Sequence, residues 1–348
     1  MRVWDAARLT PITGILLHES WVCTAEFDHK GTRIITACGD HVRVWDIATG
    51  RLLLDFRHPG ISELHRHPQA WGIGAVFTPD DSRIVTGRQD DGYWGEVEPL
   101  PGDYVVSIWD ATTGNHLADL KHAGPVRYFT VSPAGQVLSL AMSRTESAYH
   151  LWELPDGHEV AQFINDDDPA APSTAPMTAP DQPAASFSAD GTRLALANTY
   201  GFELRDLKSG KRVIRKFIYG EREDLHGQQV TGVVISPDGR KIAVLASSFG
   251  NIWDPAGKPL TPRDGITAVE RIVFSPDSRY AMFNGVDEIC GLWDLSTGAR
   301  SPWLSPDAAS DADAFSFDRQ GARIAIGFNH HNSDYGGDTD VWKLPGRK

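Results

Sequence analysis

Two short stretches of the chain hold side chains of the kind that bind metals. Glu63, His65 and His67 alternate along one segment. Residues two apart share a face of an extended strand, so both imidazoles could sit beside one Zn²⁺ ion. The run Asn332–Asp340 offers Asp334, Asp338 and Asp340 as hard oxygen ligands for Ca²⁺, but without the spacing of an EF-hand loop. A solvated loop is the favoured reading of each cluster, and no metal or cofactor is expected. No nucleophile elbow, P-loop, His-Glu-x-x-His run or cysteine-rich motif is present. Gly72-Ile73-Gly74 lacks the third glycine of a dinucleotide loop. Cys23, Cys38 and Cys290 form no C-x-x-C pair and read as thiols in strands, in a reducing compartment. The expectation is a protein that is not an enzyme.

Composition narrows the partners. Lys and Arg number 33 against 46 Asp and Glu, a net charge of −13. Phosphate backbones and anionic lipid surfaces are bound by clustered cations, so neither nucleic acid nor membrane is expected as a partner. No run approaches the roughly 20 apolar residues of a membrane span, and Met1–Asp5 does not open a signal peptide. The sequence reads as a cytoplasmic monomer. Its 33 glycines and 22 prolines suit a fold of many turns rather than long helices.

The elements that position everything else come from an internal repeat. The triplet Val-Trp-Asp, or a relative, recurs at Val3–Asp5, Val44–Asp46, Ile108–Asp110, Leu151–Glu153, Leu204–Asp206, Ile252–Asp254, Leu292–Asp294 and Val341–Lys343. Successive copies lie 40 to 64 residues apart. A second marker runs in phase, an apolar stretch ending in a tight turn such as Ser236-Pro237-Asp238-Gly239. Proline presets φ there, while Asp and Gly tolerate the left-handed corner. A third marker, a turn such as Thr49-Gly50 or Thr297-Gly298, follows most copies of the triplet.

These three markers, in this order, resemble the WD40-repeat family, whose blades run to roughly 40–45 residues. The resemblance covers nearly the whole chain and is similar to propellers carried by bacterial multidomain signalling proteins, some of them Ser/Thr kinases. It implies an all-β fold, a seven-bladed β-propeller of four-stranded antiparallel blades with strands a to d. The whole of 1–348 is read as one such domain. The Pro-Asp-Gly turn then joins a to b, the Trp-Asp ends c, and the Thr-Gly turn joins c to d. Seven a–b turns stand against eight c strands. The segment near Ile12–His18 is therefore expected to complete the last blade, leaving no open sheet edge. Residues 1–5 become a surplus c strand, either a frayed end or the remnant of a blade in a longer modular protein. His18, Thr36, Asp40 and Trp45 match the buried polar network of the family, which is structural because buried polar groups need partners. Only this blade is expected to keep that network.

Function is expected where the connections lengthen. The long ones are d–a and b–c connections, which open on one face in the family. They are residues 56–74 with Arg66 and Trp71, residues 89–104 with Tyr93, Trp94 and Tyr104, and residues 328–340 with His331 and Tyr335. Aromatic and Arg side chains on such loops are typical interface anchors, so these seven residues are the expected partner contacts. A fourth stretch, 164–184, is rich in Pro, Ala and Asp and is expected to be a disordered loop. The reading is a non-catalytic protein- or peptide-binding scaffold. The alternatives are a propeller enzyme or metal-dependent hydrolase working in an axial funnel, and a sensor module split from a larger signalling protein.

Overall fold

The computed structural model describes residues 1–5, 10–19, 22, 24–59, 73–88, 104–142, 147–154, 156–164, 184–198, 201–217, 230–246, 249–261, 266–267, 269–285, 290–300, 310–318, 320–330 and 337–343. The chain divides into two compact units, Met1–Asp166 and Asp167–Lys348, with the boundary in the Pro- and Ala-rich stretch.

Unit 1 holds three four-stranded antiparallel blades in simple a-b-c-d order. Blade 1 is Thr24–Phe27, Arg33–Cys38, His41–Asp46 and Leu52–Arg57. Blade 2 is Ile73–Phe77, Arg83–Arg88, Val105–Asp110 and His116–Lys121. Blade 3 is Val126–Val131, Val137–Met142, Ser147–Glu153 and His158–Ile164. Unit 2 continues with blade 4 (Ala185–Phe187, Arg193–Asn198, Gly201–Asp206, Lys211–Phe217) and blade 5 (Val230–Ile235, Ile242–Ala246, Phe249–Trp253, Ile266–Thr267). Blade 6 is Val269–Phe274, Tyr280–Gly285, Cys290–Asp294 and Ala299–Arg300. Blade 7 has three strands among the described residues, Ser310–Phe317, Arg323–His330 and Gly337–Lys343. Among the described residues, these seven antiparallel blades and the all-β, propeller-type fold agree with the sequence reading.

Strands b and c are buried along most of their length because both of their faces are covered. Ile35, Ala37, Val42 and Val44 of blade 1 pack against Ile73, Ala75, Phe77 and Trp109 of blade 2. Val85, Val106 and Ile108 of blade 2 meet Val126, Phe129 and Trp152 of blade 3 in the same way. Within unit 2 the pattern repeats between blades 4 and 5, 5 and 6, and 6 and 7.

The a–b turns of blades 2, 4, 5 and 6 repeat one hydrogen-bond scheme. In blade 5, Ser236 Oγ donates to Asp238 Oδ1 at 2.6 Å and accepts the Lys241 N–H at 2.9 Å. Gly239 closes the corner at φ 67°, where a side chain is disfavoured. Blades 2 and 6 put Asp81 and Ser278 at this corner, each at φ 59°, the two positive-φ non-glycine residues among those described. Each reaches the turn of the preceding blade. Asp81 Oδ1 accepts the His29 backbone N–H at 2.8 Å and lies 3.0 Å from its Nδ1, and Ser278 Oγ accepts the Asp238 N–H at 3.0 Å. Arg33 adds to the first of these latches, donating to Asp81 O at 2.9 Å and Ala111 O at 2.7 Å.

The amino terminus is paired rather than frayed, one of the two arrangements open to it. Trp4–Asp5 pairs with Thr10–Pro11 as a two-stranded sheet. Met1 and Leu16 exchange hydrogen bonds at 3.0 and 2.9 Å, and Val3 O accepts the Ile12 N–H at 2.8 Å. Val3 and Leu16 are buried against Ile34, Trp45 and Ile47, with Met1 packed at the edge, so Val3 and Leu16 belong to the core of unit 1. Ile12–His18 is not itself a strand.

Candidate functional site

Two of the three long connections join the blade 2 sheet at the same end. Ile73, where the first rejoins the sheet, pairs across the a–b ladder with Arg88, where the second departs. That end is tied to the b–c turn of blade 1. Ile73 N–H donates to Gly39 O at 3.4 Å, and His58 N–H to Asp40 O at 3.0 Å. The short Gly39-Asp40 turn therefore carries the end of one strand and the start of the next.

A network of charged side chains covers this end of blade 1. His41 and Arg57 are opposite one another on strands c and d. His41 Nδ1 lies 2.9 Å from Asp55 Oδ1, and Arg43 Nε donates to Asp55 Oδ2 at 3.0 Å. Arg43 Nη2 reaches Glu19 Oε1 at 3.0 Å, and Arg57 Nη1 reaches Asp40 Oδ2 at 3.4 Å. Burial alone would raise the Asp55 pKa, but the hydrogen bonds from His41 and Arg43 outweigh it and hold the carboxyl below its ordinary value. Burial works against the Arg43 cation too, and Asp55 and Glu19 more than compensate. Arg57 and Glu19 expose most of their side chains, so this network can exchange internal partners for external ones. It contains no nucleophile paired with a base, and no group of three or more potential metal ligands occurs among the described residues.

Of the seven expected contact residues, Tyr104 is described. It is half-buried at the foot of the 89–104 connection, and its carbonyl accepts the His122 N–H at 2.9 Å. Arg66, Trp71, Tyr93, Trp94, His331 and Tyr335 lie outside the described residues, as do Glu63, His65, His67 and Asp334.

The expected polar network of blade 1 is met in three of its four members. His18 Nε2 is 2.8 Å from Thr36 Oγ1, which also accepts the Trp45 indole N–H at 3.0 Å. Asp40 stands outside it. The place a carboxylate would take at His18 Nδ1 is held by Leu16 O at 2.9 Å, and Asp40 pairs with Arg57 instead.

The network is not confined to blade 1, which corrects the sequence reading. In blade 2, His58 Nδ1 and the Trp109 indole N–H each reach Thr86 Oγ1 at 2.8 Å. In blade 3, His122 Nε2 and the Trp152 indole N–H reach Ser139 Oγ at 2.7 and 2.9 Å. His58, grouped by sequence with a binding loop, is 2% exposed and anchors the sheet. The hydroxyl sits on strand b two residues after the one paired with the Trp. The same position in unit 2 holds Leu196, Val244, Phe283 and Ile326. There the Trp253 indole N–H is buried without a hydrogen-bond partner, and in blade 6 the Phe283 ring covers Gly291, where a Cβ would meet it at 2.6 Å.

Among the described residues, no helix is long and apolar enough to cross a membrane. The family model described as "WD domain, G-beta repeat" (WD40) matches residues 10–46, the amino-terminal segment and the first three strands of blade 1. A protein of Dictyostelium discoideum described as "Serine-threonine kinase receptor-associated protein" is 26% identical over 157 residues. The match takes in 44% of this chain and 43% of that protein, so the chain spans less than half the length of the relative it matches.

Proposed function

Because this chain is a WD40-repeat protein, we propose that it is a non-catalytic scaffold for a protein or peptide partner, held at the end of the blades where the b–c and d–a connections emerge. One observation carries the choice of end. The two long connections of unit 1 start and finish on paired residues, Ile73 and Arg88, beside the exposed charges of Arg57 and Glu19. Long segments anchored on a rigid sheet are where binding residues concentrate. Arg66, Trp71, Tyr93, Trp94 and Tyr104 belong to these connections, with His331 and Tyr335 on the matching b–c connection of blade 7. The protein works in the cytoplasm as a monomer until it meets its partner. The receptor-associated relative favours one class of partner, a kinase or receptor of that kind.

The test compares the wild-type chain with a Trp94→Ala/Tyr335→Ala double variant in affinity capture from the native host. A partner held by the wild type and lost by a variant with unchanged circular dichroism supports the reading. Equal capture by both places the contact elsewhere.

A further inference from the structure

The three His–hydroxyl–Trp triads belong to unit 1, and the matching positions of unit 2 are apolar. In blade 3 the Tyr104 and Ser139 contacts fix how the hydrogens run. His122 Nδ1 faces Tyr104 O at 3.3 Å, so that nitrogen carries the proton. Nε2 must then accept, and it takes the Ser139 hydroxyl hydrogen at 2.7 Å while Ser139 Oγ accepts the Trp152 indole N–H. The donors form a one-way chain from indole to hydroxyl to imidazole to carbonyl. A second proton on His122 reverses one link, because Nε2 becomes a donor facing a hydroxyl that is already donating to it.

We infer that unit 1, and blade 3 first, is an acid-sensitive half of the chain: protonating its triad histidines breaks the donor chains that brace the connection-bearing end of blades 1 to 3, whereas unit 2 offers no such group at the matching positions.

The surroundings set blade 3 apart. His122 faces the imidazole of His150, 5.2 Å away in the strand c packed against it, and His150 is itself held by Glu159 of strand d at 3.0 Å. Tyr104 O and Leu120 O are its favourable neighbours. In blade 1, His18 faces two cations, Arg43 and the Met1 ammonium, and one anion, Glu19. There Thr36 has Arg43 O at 3.5 Å as a second acceptor, which softens the effect. In blade 2, the Asp119 carboxylate lies near enough to interact with His58 and favours its charged form. Blade 3, whose histidine faces a second imidazole and no carboxylate, is therefore the first to respond.

The pH window follows from His122. Burial, reinforced by His150, pushes its pKa from 6.5 down to about 4. A base depressed in the folded state takes up its proton on unfolding, so its contribution is intact above 6.5 and is lost as the pH falls toward 4. At pH 5 most Asp and Glu side chains in both units are still ionised; Glu26 of blade 1, pushed up to about 7 by burial, is an exception, and blade 3 is therefore the segment to read.

The experiment is hydrogen exchange of the full chain at pH 7 and pH 5, corrected for the intrinsic rate. Protection in Val137–Met142 and Ser147–Glu153 should fall by about tens of fold, while Ile242–Ala246 and Phe249–Trp253 of blade 5 hold. His122→Gln, which keeps one donor and one acceptor without titrating, should remove the difference. Equal loss in both units, or an unchanged pH response in the variant, overturns the inference. Should His122→Gln lose protection at both pH values, the wild-type imidazole titration by NMR decides. A His122 midpoint well below 6.5 upholds the inference, and one at or above it overturns it.

Discussion

Replacing Asp81 by alanine removes the acceptor that joins the a–b turns of blades 1 and 2. The carboxylate is 2% exposed and accepts the His29 backbone N–H at 2.8 Å, with the imidazole at 3.0 Å. Hydrogen bonds to a charged group contribute about 1.5–3 kcal/mol each. His29 is half-exposed, so water recovers part of the loss, and Asp81→Ala should cost about 2–3 kcal/mol. The alanine also remains at φ 59°. Asp81→Gly loses the same contacts but relieves about 1 kcal/mol of left-handed strain, so it should cost about 1–2 kcal/mol. Ser278→Gly gives up a single neutral bond at 3.0 Å and gains the same relief, so it should be close to neutral. Urea denaturation with the slope held constant reads all three variants. Asp81→Ala within about 0.5 kcal/mol of wild type, or Asp81→Gly less stable than Asp81→Ala, would refute the latch.

Val244→Thr should give the buried Trp253 indole its missing acceptor at nearly constant volume, raising stability by about 0.5–1.5 kcal/mol; an unchanged urea midpoint counts against the triad geometry. Thr36→Val should cost about 1–3 kcal/mol, since it strands both His18 and Trp45, and the loss should appear first in exchange of blade 1. Burial pushes the Cys290 thiol up to about 12, so it should resist alkylation at pH 8 in the native protein and react only after unfolding. Hydrogen bonds from Ser82 and Thr78 hold the Asp80 carboxyl at about 2. Its support for the turn is therefore present above its ordinary value of 3.8 and is lost as the pH falls through about 2, which carboxyl NMR of wild type and Asp80→Asn should report.

The blades were legible because their signals are local. A corner of the Ser-Pro-Asp-Gly kind and a Trp-Asp strand end each favour one backbone geometry on their own, and together they or their relatives recur from blade to blade. The polar triads were harder to read, because their members lie far apart in sequence. His58 precedes Thr86 by the length of a long connection, and its neighbours His65 and His67 made it resemble a loop residue. The absence of an Asp five residues before Trp109 and Trp152, the place that Asp40 holds before Trp45, suggested that blades 2 and 3 had lost the network. The register shows that a Ser or Thr two residues beyond the Trp's partner was the better sign. Asp40 was misplaced for a related reason: its position fits the family pattern, but a backbone carbonyl already satisfies His18. The candidate contact residues were legible only as composition on long connections, and composition sets no conformation. Among the described residues, Tyr104 shows how such a connection is held, by a carbonyl fixed to His122.

The most direct test of the scaffold reading is a hydrogen-exchange footprint of the full chain with and without its captured partner. Protection gained in residues 58–73, 88–104 and 328–340, with the a–b and c–d turns unchanged, is the expected result. Protection gained chiefly at the a–b turns, or on the outer d strands such as Leu52–Arg57, would contradict it.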